Sequence, residues 1–116
     1  MSVAISSEGA GLEAKPSAIF GRCPYMLIAD PGTGRLESLP NPGLRARGGA
    51  GVRTARFAVD QGATVVLTGR IGPKAKEVLD AAGVEVLETD GSTVRELLEH
   101  FKAGELRGLR VSRARS

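Results

Sequence analysis

The sequence predicts a single α/β domain built on a five-stranded mixed sheet, and three observations carry that prediction. Short apolar runs separated by turn residues occupy positions 3 to 39, as in a β-meander. Strands and helices alternate from position 51 onward, punctuated by Gly62 and Gly83. The length of 116 residues suffices for one core and not for two.

Residues 3–6 (Val-Ala-Ile-Ser) read as a short first strand, ended by Gly9-Ala10-Gly11. The continuous apolar run over 25–29 reads as a second strand, buried on both faces. Asp30-Pro31-Gly32-Thr33-Gly34 is a turn cluster, and residues 35–39 beyond it complete a hairpin. This third strand is weakly patterned and runs into Pro40 and Pro42, which an edge strand tolerates.

After the Asn41-Pro42-Gly43 loop, Gly48-Gly49-Ala50-Gly51 opens a helix over 51–61, and Gly62 suits the position just past its end. Residues 64–68 form a buried fourth strand. Pro73 is suited to the first position of a helix over 73–82, in which Ala75, Val78, Leu79 and Ala82 recur at i, i+3, i+4, i+7. Gly83 closes that helix, and residues 84–87 are the fifth strand. Thr93 and Glu96 make a capping box for a last helix over 93–102, where Val94, Leu97, Leu98 and Phe101 repeat the helical spacing.

Three antiparallel strands make strand 3 parallel to strand 1. Right-handed helical crossovers then bring strands 4 and 5 in parallel as well. The expected order is 3-2-1-4-5 with helices on both faces, the arrangement of ribonuclease-H-like domains. Strand direction sends the segments 7–11, 41–51, 69–73 and 90–93, together with the approach to strand 2 at 20–24, to one edge of the sheet. Open α/β sheets bind ligands at such an edge. Gly9, Gly21, Gly49, Gly72 and Gly91 are therefore expected to line one concave surface there. Arg22, Arg45, Arg47, Arg53, Arg70 and Arg95 lie in or beside these loops. Three glycines in the four residues 48–51 leave backbone N–H groups bare where a helix begins, an arrangement suited to an anion.

Composition narrows the classes. Apolar residues at 41% and charged residues at 25% are ordinary for a soluble globular chain. The net charge of +3 resides in residues 105–116, where four arginines face Glu105 alone; the other 104 residues are balanced. These last residues read as a flexible basic tail following a domain over 1–104. Aromatics make up 3%, too few for a base-stacking platform, so nucleic acid is not the expected partner. No apolar run spans a membrane and no secretory leader is evident. With a single cysteine, the expected location is cytoplasmic. Strands 1 and 4 carry no acid, so two-metal hydrolysis lacks its carboxylates and no enzymatic activity is expected.

The chain resembles the dinitrogenase iron–molybdenum cofactor biosynthesis family. The resemblance rests on Ala4-Ile5-Ser6-Ser7-Glu8-Gly9, Phe20-Gly21-Arg22-Cys23-Pro24-Tyr25, Asn41-Pro42, Gly48-Gly49-Ala50-Gly51, Gly69-Arg70-Ile71-Gly72-Pro73 and Gly91-Ser92-Thr93-Val94-Arg95-Glu96. These come in the family's order and cover residues 2–104. The resemblance implies a small carrier for an anionic iron–sulfur or iron–molybdenum-type cluster or its precursor, with a metalloenzyme or assembly protein as partner. The residues it places at the cofactor are Ser7, Gly9, Phe20, Gly21, Arg22, Gly48, Gly49, Ala50, Gly51, Arg70, Gly72, Gly91, Ser92 and Thr93.

Many relatives carry a histidine directly before the Phe-Gly-Arg motif; Ile19 holds that position here and cannot ligate a metal. Cys23 is then the candidate ligand, with a thiolate favoured by neighbouring arginine and helix N-termini. His100, the single histidine, sits in the last helix as a surface or interface residue. Two alternatives stand beside the carrier. One is a phosphate- or nucleotide-type anion module, although the glycine fingerprints of those sites are absent. The other is a partner-binding domain without metal.

Overall fold

The structure, a computed structural model, describes residues 1–89 and 91–108. It contains β1 (Ser2–Ser7), β2 (Tyr25–Asp30), β3 (Arg35–Pro40), α1 (Ala50–Asp60), β4 (Ala63–Thr68), α2 (Pro73–Ala81), β5 (Glu85–Glu88) and α3 (Val94–Lys102). Every expected element is present, with ends displaced by no more than one residue. The sheet order is β3-β2-β1-β4-β5. β1 runs antiparallel to β2 and parallel to β4, β2 antiparallel to β3, and β4 parallel to β5.

Alternation along the strands builds two cores. Ala4, Met26, Val66 and Val86 face one side, where Ala55 and Ala58 of α1 and Ala75 and Leu79 of α2 pack on them. Val3, Ile5, Leu27, Ala29, Val65, Leu67 and Leu87 face the other side, which Val94 and Leu97 of α3 cover. This double burial is why β2 and β4 read as unbroken apolar runs. β3 is the exposed edge. The hairpin before it is closed by Asp30, whose carboxylate accepts the Gly32 N–H at 2.9 Å, and by Gly34 at a φ of 80°.

The helices end as the glycines require: Gly62 and Gly83 take φ values of 82° and 74°, in the left-handed region. The capping box of α3 is complete. Thr93 Oγ1 accepts the Glu96 N–H at 3.2 Å, and Glu96 Oε1 accepts the Thr93 N–H at 3.1 Å.

Residues just past position 104 also touch the body. Leu106 packs against the α3-side core, the Glu88 N–H donates to the Arg107 carbonyl at 2.7 Å, and Leu87 forms an antiparallel bridge with Gly108. One apolar side chain and the unpaired edge of β5 thus hold residues 106–108 against the body. Residues 109–116, the remainder of the expected tail, lie outside the described residues, as does Asp90 in the loop before α3.

Two substitutions test this account. Thr93→Ala removes the cap and is expected to cost about 1 kcal/mol. Leu79→Ala opens a void between α2 and the sheet and is expected to cost about 2–5 kcal/mol. Urea unfolding at unchanged slope should show the two shifts in that order; a Thr93→Ala midpoint equal to that of the parent would refute the role given to the capping box.

Candidate functional site

The expected edge exists, and buried hydrogen bonds build it. Asn41, 5% exposed, donates through Nδ2 to the Cys23 carbonyl at 2.9 Å and to the Gly21 carbonyl at 3.3 Å. Its Oδ1 accepts the Gly43 N–H at 2.9 Å and the Thr54 hydroxyl at 3.0 Å. The Thr54 hydroxyl also lies 3.1 Å from the Gly21 carbonyl, so one proton is shared. Segments 21–23 and 41–43 are thereby tied to the second turn of α1. Arg22 adds a clamp, its Nη1 donating at 2.8 Å to both the Leu44 and Ala46 carbonyls. On the other flank, residues 18–20 run beside Arg70, with the Arg70 N–H donating to Ala18 at 2.7 Å and the Phe20 N–H to Arg70 at 2.9 Å.

The glycines at this edge divide into two kinds. A Cβ on Gly21 would lie 2.9 Å from the Gly51 nitrogen. On Gly43 it would meet Thr54 Oγ1 at 2.3 Å, and on Gly69 the Ala18 carbonyl oxygen at 2.4 Å. These three permit backbone to touch backbone or helix. Gly48, Gly49 and Gly72 differ: an added Cβ would meet nothing within 4 Å, and all three are exposed. Of them only Gly49, at a φ of 65°, has a conformation that demands glycine.

Those open glycines sit at two neighbouring helix starts. Gly49 is the N-cap of α1 and Gly72 that of α2, and neither helix has a capping side chain or an acid in its first turn. The first intrahelical bond of α1 runs from the Arg53 N–H to the Gly49 carbonyl, so the amides ahead of it have no intrahelical partner. Arg53, Lys74 and Lys76 place positive charge where the helix dipole is already positive, at a cost of about 0.3–1 kcal/mol each. Lys76 is paired with Asp80 at 2.7 Å. Among the described residues no carboxylate pairs with Arg53, Arg70 or Lys74; the ion pairs there are Lys76–Asp80 and Arg95–Glu13. A cleft of about 650 Å³ opens here, lined by Pro42, Gly48, Gly49, Val52, Arg53, Arg56, Phe57, Asp60 and Lys74.

Several expected site residues are elsewhere. Ser7 is fully buried, its hydroxyl donating to the Gly9 carbonyl at 2.7 Å, and Phe20 is a core side chain at 1% exposure. Arg22 is exposed, but its guanidinium holds the 44–46 loop. Gly9, Gly91, Ser92 and Thr93 belong to a second group of loops, joined where the Val94 and Arg95 N–H groups donate to the Ala14 and Leu12 carbonyls. Since α3 covers the opposite face from α1 and α2, these loops flank the sheet on its other side. The expectation of one shared concavity becomes a cleft on the α1–α2 side, bordered by Gly48 and Gly49, with Ala50 and Gly51 half-buried behind them. Arg56 and Lys74 were missed by sequence reasoning. Lys74 gave a signal, as a basic residue in the first turn of a helix that has no acid there, whereas Arg56 lies in the middle of α1.

Cys23, the expected ligand, lies in the core. It is fully buried, packed among Ala4, Phe20 and Met26, with Asn41 Nδ2 at 3.4 Å from its Sγ. Burial pushes its pKa up from the ordinary 9.0 to about 11, opposite to the expected thiolate. Among the described residues, no three of His, Cys, Asp and Glu come together to hold a metal ion. Ile19, by contrast, is 50% exposed on the rim beside Arg70. His100 lies in the last turn of α3, and α3 starts at this edge and runs away from it.

A thiol whose pKa is higher in the folded than in the unfolded chain favours folding below its unfolded value. That contribution should be complete below about pH 9 and fade as pH rises toward about 11. Stability curves of the parent and Cys23→Ala should therefore converge or cross over that interval; curves that stay parallel would refute it. Asn41→Ala takes the side-chain partner from the Gly43 N–H and the Cys23 carbonyl, and should cost about 3 kcal/mol in urea unfolding.

The relatives of this chain are consistent with that geometry. The apo form of the orange protein from Desulfovibrio gigas has the same architecture, with a TM-score of 0.90 and 33% identity, over 95% of this chain and 93% of that one. A NifB-like protein from Thermotoga, TM1290, superposes with a TM-score of 0.84 and 34% identity, covering 97% of both chains. The uncharacterized protein MJ0580 from Methanocaldococcus jannaschii is 27% identical over 90 residues, which make up 75% of this chain and 76% of that relative. A sequence model of the dinitrogenase iron-molybdenum cofactor family matches residues 1–104, and the chain belongs to that family.

Proposed function

We propose that this protein binds and carries an anionic metal–sulfur cofactor, or a precursor of one, at the paired starts of α1 and α2. The cargo is held by backbone N–H groups and cations, with no bond from the protein to the metal. One observation carries the proposal: two adjacent helix N-termini, both uncapped and both free of acids, present unpaired Arg53 and Lys74 to one cleft. This arrangement works against the helices' own electrostatics and fits an anion.

The donor set supports carriage without coordination. Cys23 is buried and protonated, Ile19 is apolar, and the described residues offer no ligand cluster. Val52 and Phe57 give the cleft an apolar wall, which suits a weakly hydrated sulfide surface better than a strongly hydrated phosphate. Family membership and the likeness to a NifB-like protein support the same class of cargo. The proposal is of binding alone, with no chemistry performed on the cargo.

Anaerobic incubation with ferrous iron, sulfide and molybdate, followed by gel filtration, visible absorption and metal analysis, tests it. The parent should retain coloured, metal-bearing material. Gly48→Ala should stay within about 0.5 kcal/mol of the parent in stability, because its Cβ meets nothing. It should nonetheless bind about tenfold more weakly, since the ligand would approach bare backbone. Arg53→Glu should abolish uptake, and Cys23→Ser should keep it. Uptake indifferent to both Gly48→Ala and Arg53→Glu, or lost only in Cys23→Ser, would overturn the proposal. Displacement by inorganic phosphate at equal concentration would favour the phosphate-type alternative.

A further inference from the structure

The outer surface of the α1–α2 pair carries a second cleft beside the one assigned to the cargo. A cleft of about 440 Å³ lies between the helices, lined by Arg56, Val59, Asp60, Val78, Ala81 and Ala82. It shares Arg56 and Asp60 with the cleft at the helix starts, so the two form one trough running from the loop edge along the outside of the pair. Its floor is apolar: Phe57, Val59 and Val78 pack on the core beneath yet remain partly exposed. Its charge is lopsided, with Arg53, Arg56 and Lys74 against Asp60. Arg56 and Asp60 stand at i and i+4, but no ion pair joins them.

We infer that this trough is a docking surface for an acidic, amphipathic segment of a partner protein. Apolar side chains of the segment would fill the spaces above Phe57, Val59 and Val78, and its carboxylates would neutralise Arg56 and its neighbours. Charge complementarity selects this occupant. A wholly apolar segment would leave the cations buried and unpaired, which is costly. A nucleic-acid strand would use the cations but would meet Asp60, and the one ring there, Phe57, is half-buried against the core. The trough begins at the cargo edge, so a partner seated there lies beside the cargo.

The test is a titration of the isotopically labelled full chain with a synthetic peptide of repeating Glu-Glu-Leu-Leu blocks, followed by amide chemical shifts. Shifts should cluster at residues 52–60 and 78–82 and be absent with the matching Lys-Lys-Leu-Leu peptide. Arg56→Glu, an exposed change, should weaken binding about tenfold, and Ala81→Glu should weaken it as well. The proposal fails if shifts are confined to residues 48–53, if the lysine peptide binds equally, or if a single-stranded oligonucleotide perturbs residues 52–60 more strongly than the acidic peptide. Ala81→Glu, which lines only the second cleft, should keep uptake of iron, sulfide and molybdate, and Gly48→Ala should keep peptide binding. A parent chain that takes up no cargo yet binds the acidic peptide would sink the carrier proposal alone, and one that takes up cargo yet ignores the peptide would sink the docking surface alone.

Discussion

The buried side chain of Asn41 is the constraint on which the functional edge depends. It satisfies two carbonyls, one amide and one hydroxyl drawn from three stretches of chain, residues 21–23, 43 and 54. A buried polar group left unmet costs about 1–3 kcal/mol. The clasp fixes how close α1 may come to the entrance of β2, and that distance leaves no room for a Cβ at Gly21 or Gly43. The glycines thus follow from the asparagine. Arg22 extends the same logic outward by spanning two carbonyls of the following loop. What the clasp holds in place is the start of α1, the group of bare amides that faces the cleft.

Local stability and function part company at that point. α3 follows every preference of an isolated helix: a capping box, an acid in its first turn, and His100 and Lys102 in its last. α1 and α2 depart from them at their starts, with no capping side chain and no first-turn acid in either. They persist because tertiary packing carries them, through Ala55 and Ala58 in one and Ala75 and Leu79 in the other. A fold whose local choices agree everywhere except at two neighbouring helix starts concentrates its exceptions where binding demands them.

The sequence made the architecture legible because the relevant signals are one-dimensional. Periodicity, glycine at the helix ends and the Thr93–Glu96 pair locate every element, and strand direction then sends the loops to a common edge. Which side chains of those loops face outward is not one-dimensional. Cys23 follows Gly21 and Arg22 in sequence, yet it points into the core because Asn41 draws the Cys23 carbonyl inward and Ala4 and Met26 close around the thiol. Phe20 belongs to the same motif and is buried by the same turn. The glycines looked equivalent on paper, and only the third dimension separates Gly21 and Gly69, which relieve contacts, from Gly48 and Gly72, which leave surface bare. Leu106 was one apolar residue in a basic segment, and its seat existed only once β5 proved to have a free edge.

Holding cargo without coordination has a kinetic corollary. A cluster ligated by thiolate or imidazole leaves through ligand exchange, which needs an incoming donor at the metal. Cargo held by amides and guanidinium groups leaves when those interactions are screened or competed away, and exposed charges are screened over about 8 Å at physiological ionic strength. With Ile19 apolar and Cys23 buried, the described residues offer no cluster of ligands to compete for the metal during departure. On the proposal made above, carboxylates of a docked segment at Arg56 would lower the positive potential felt at Arg53, one turn away. Docking and release would then be linked through the charge of a single helix face, and each would weaken the other by the same factor.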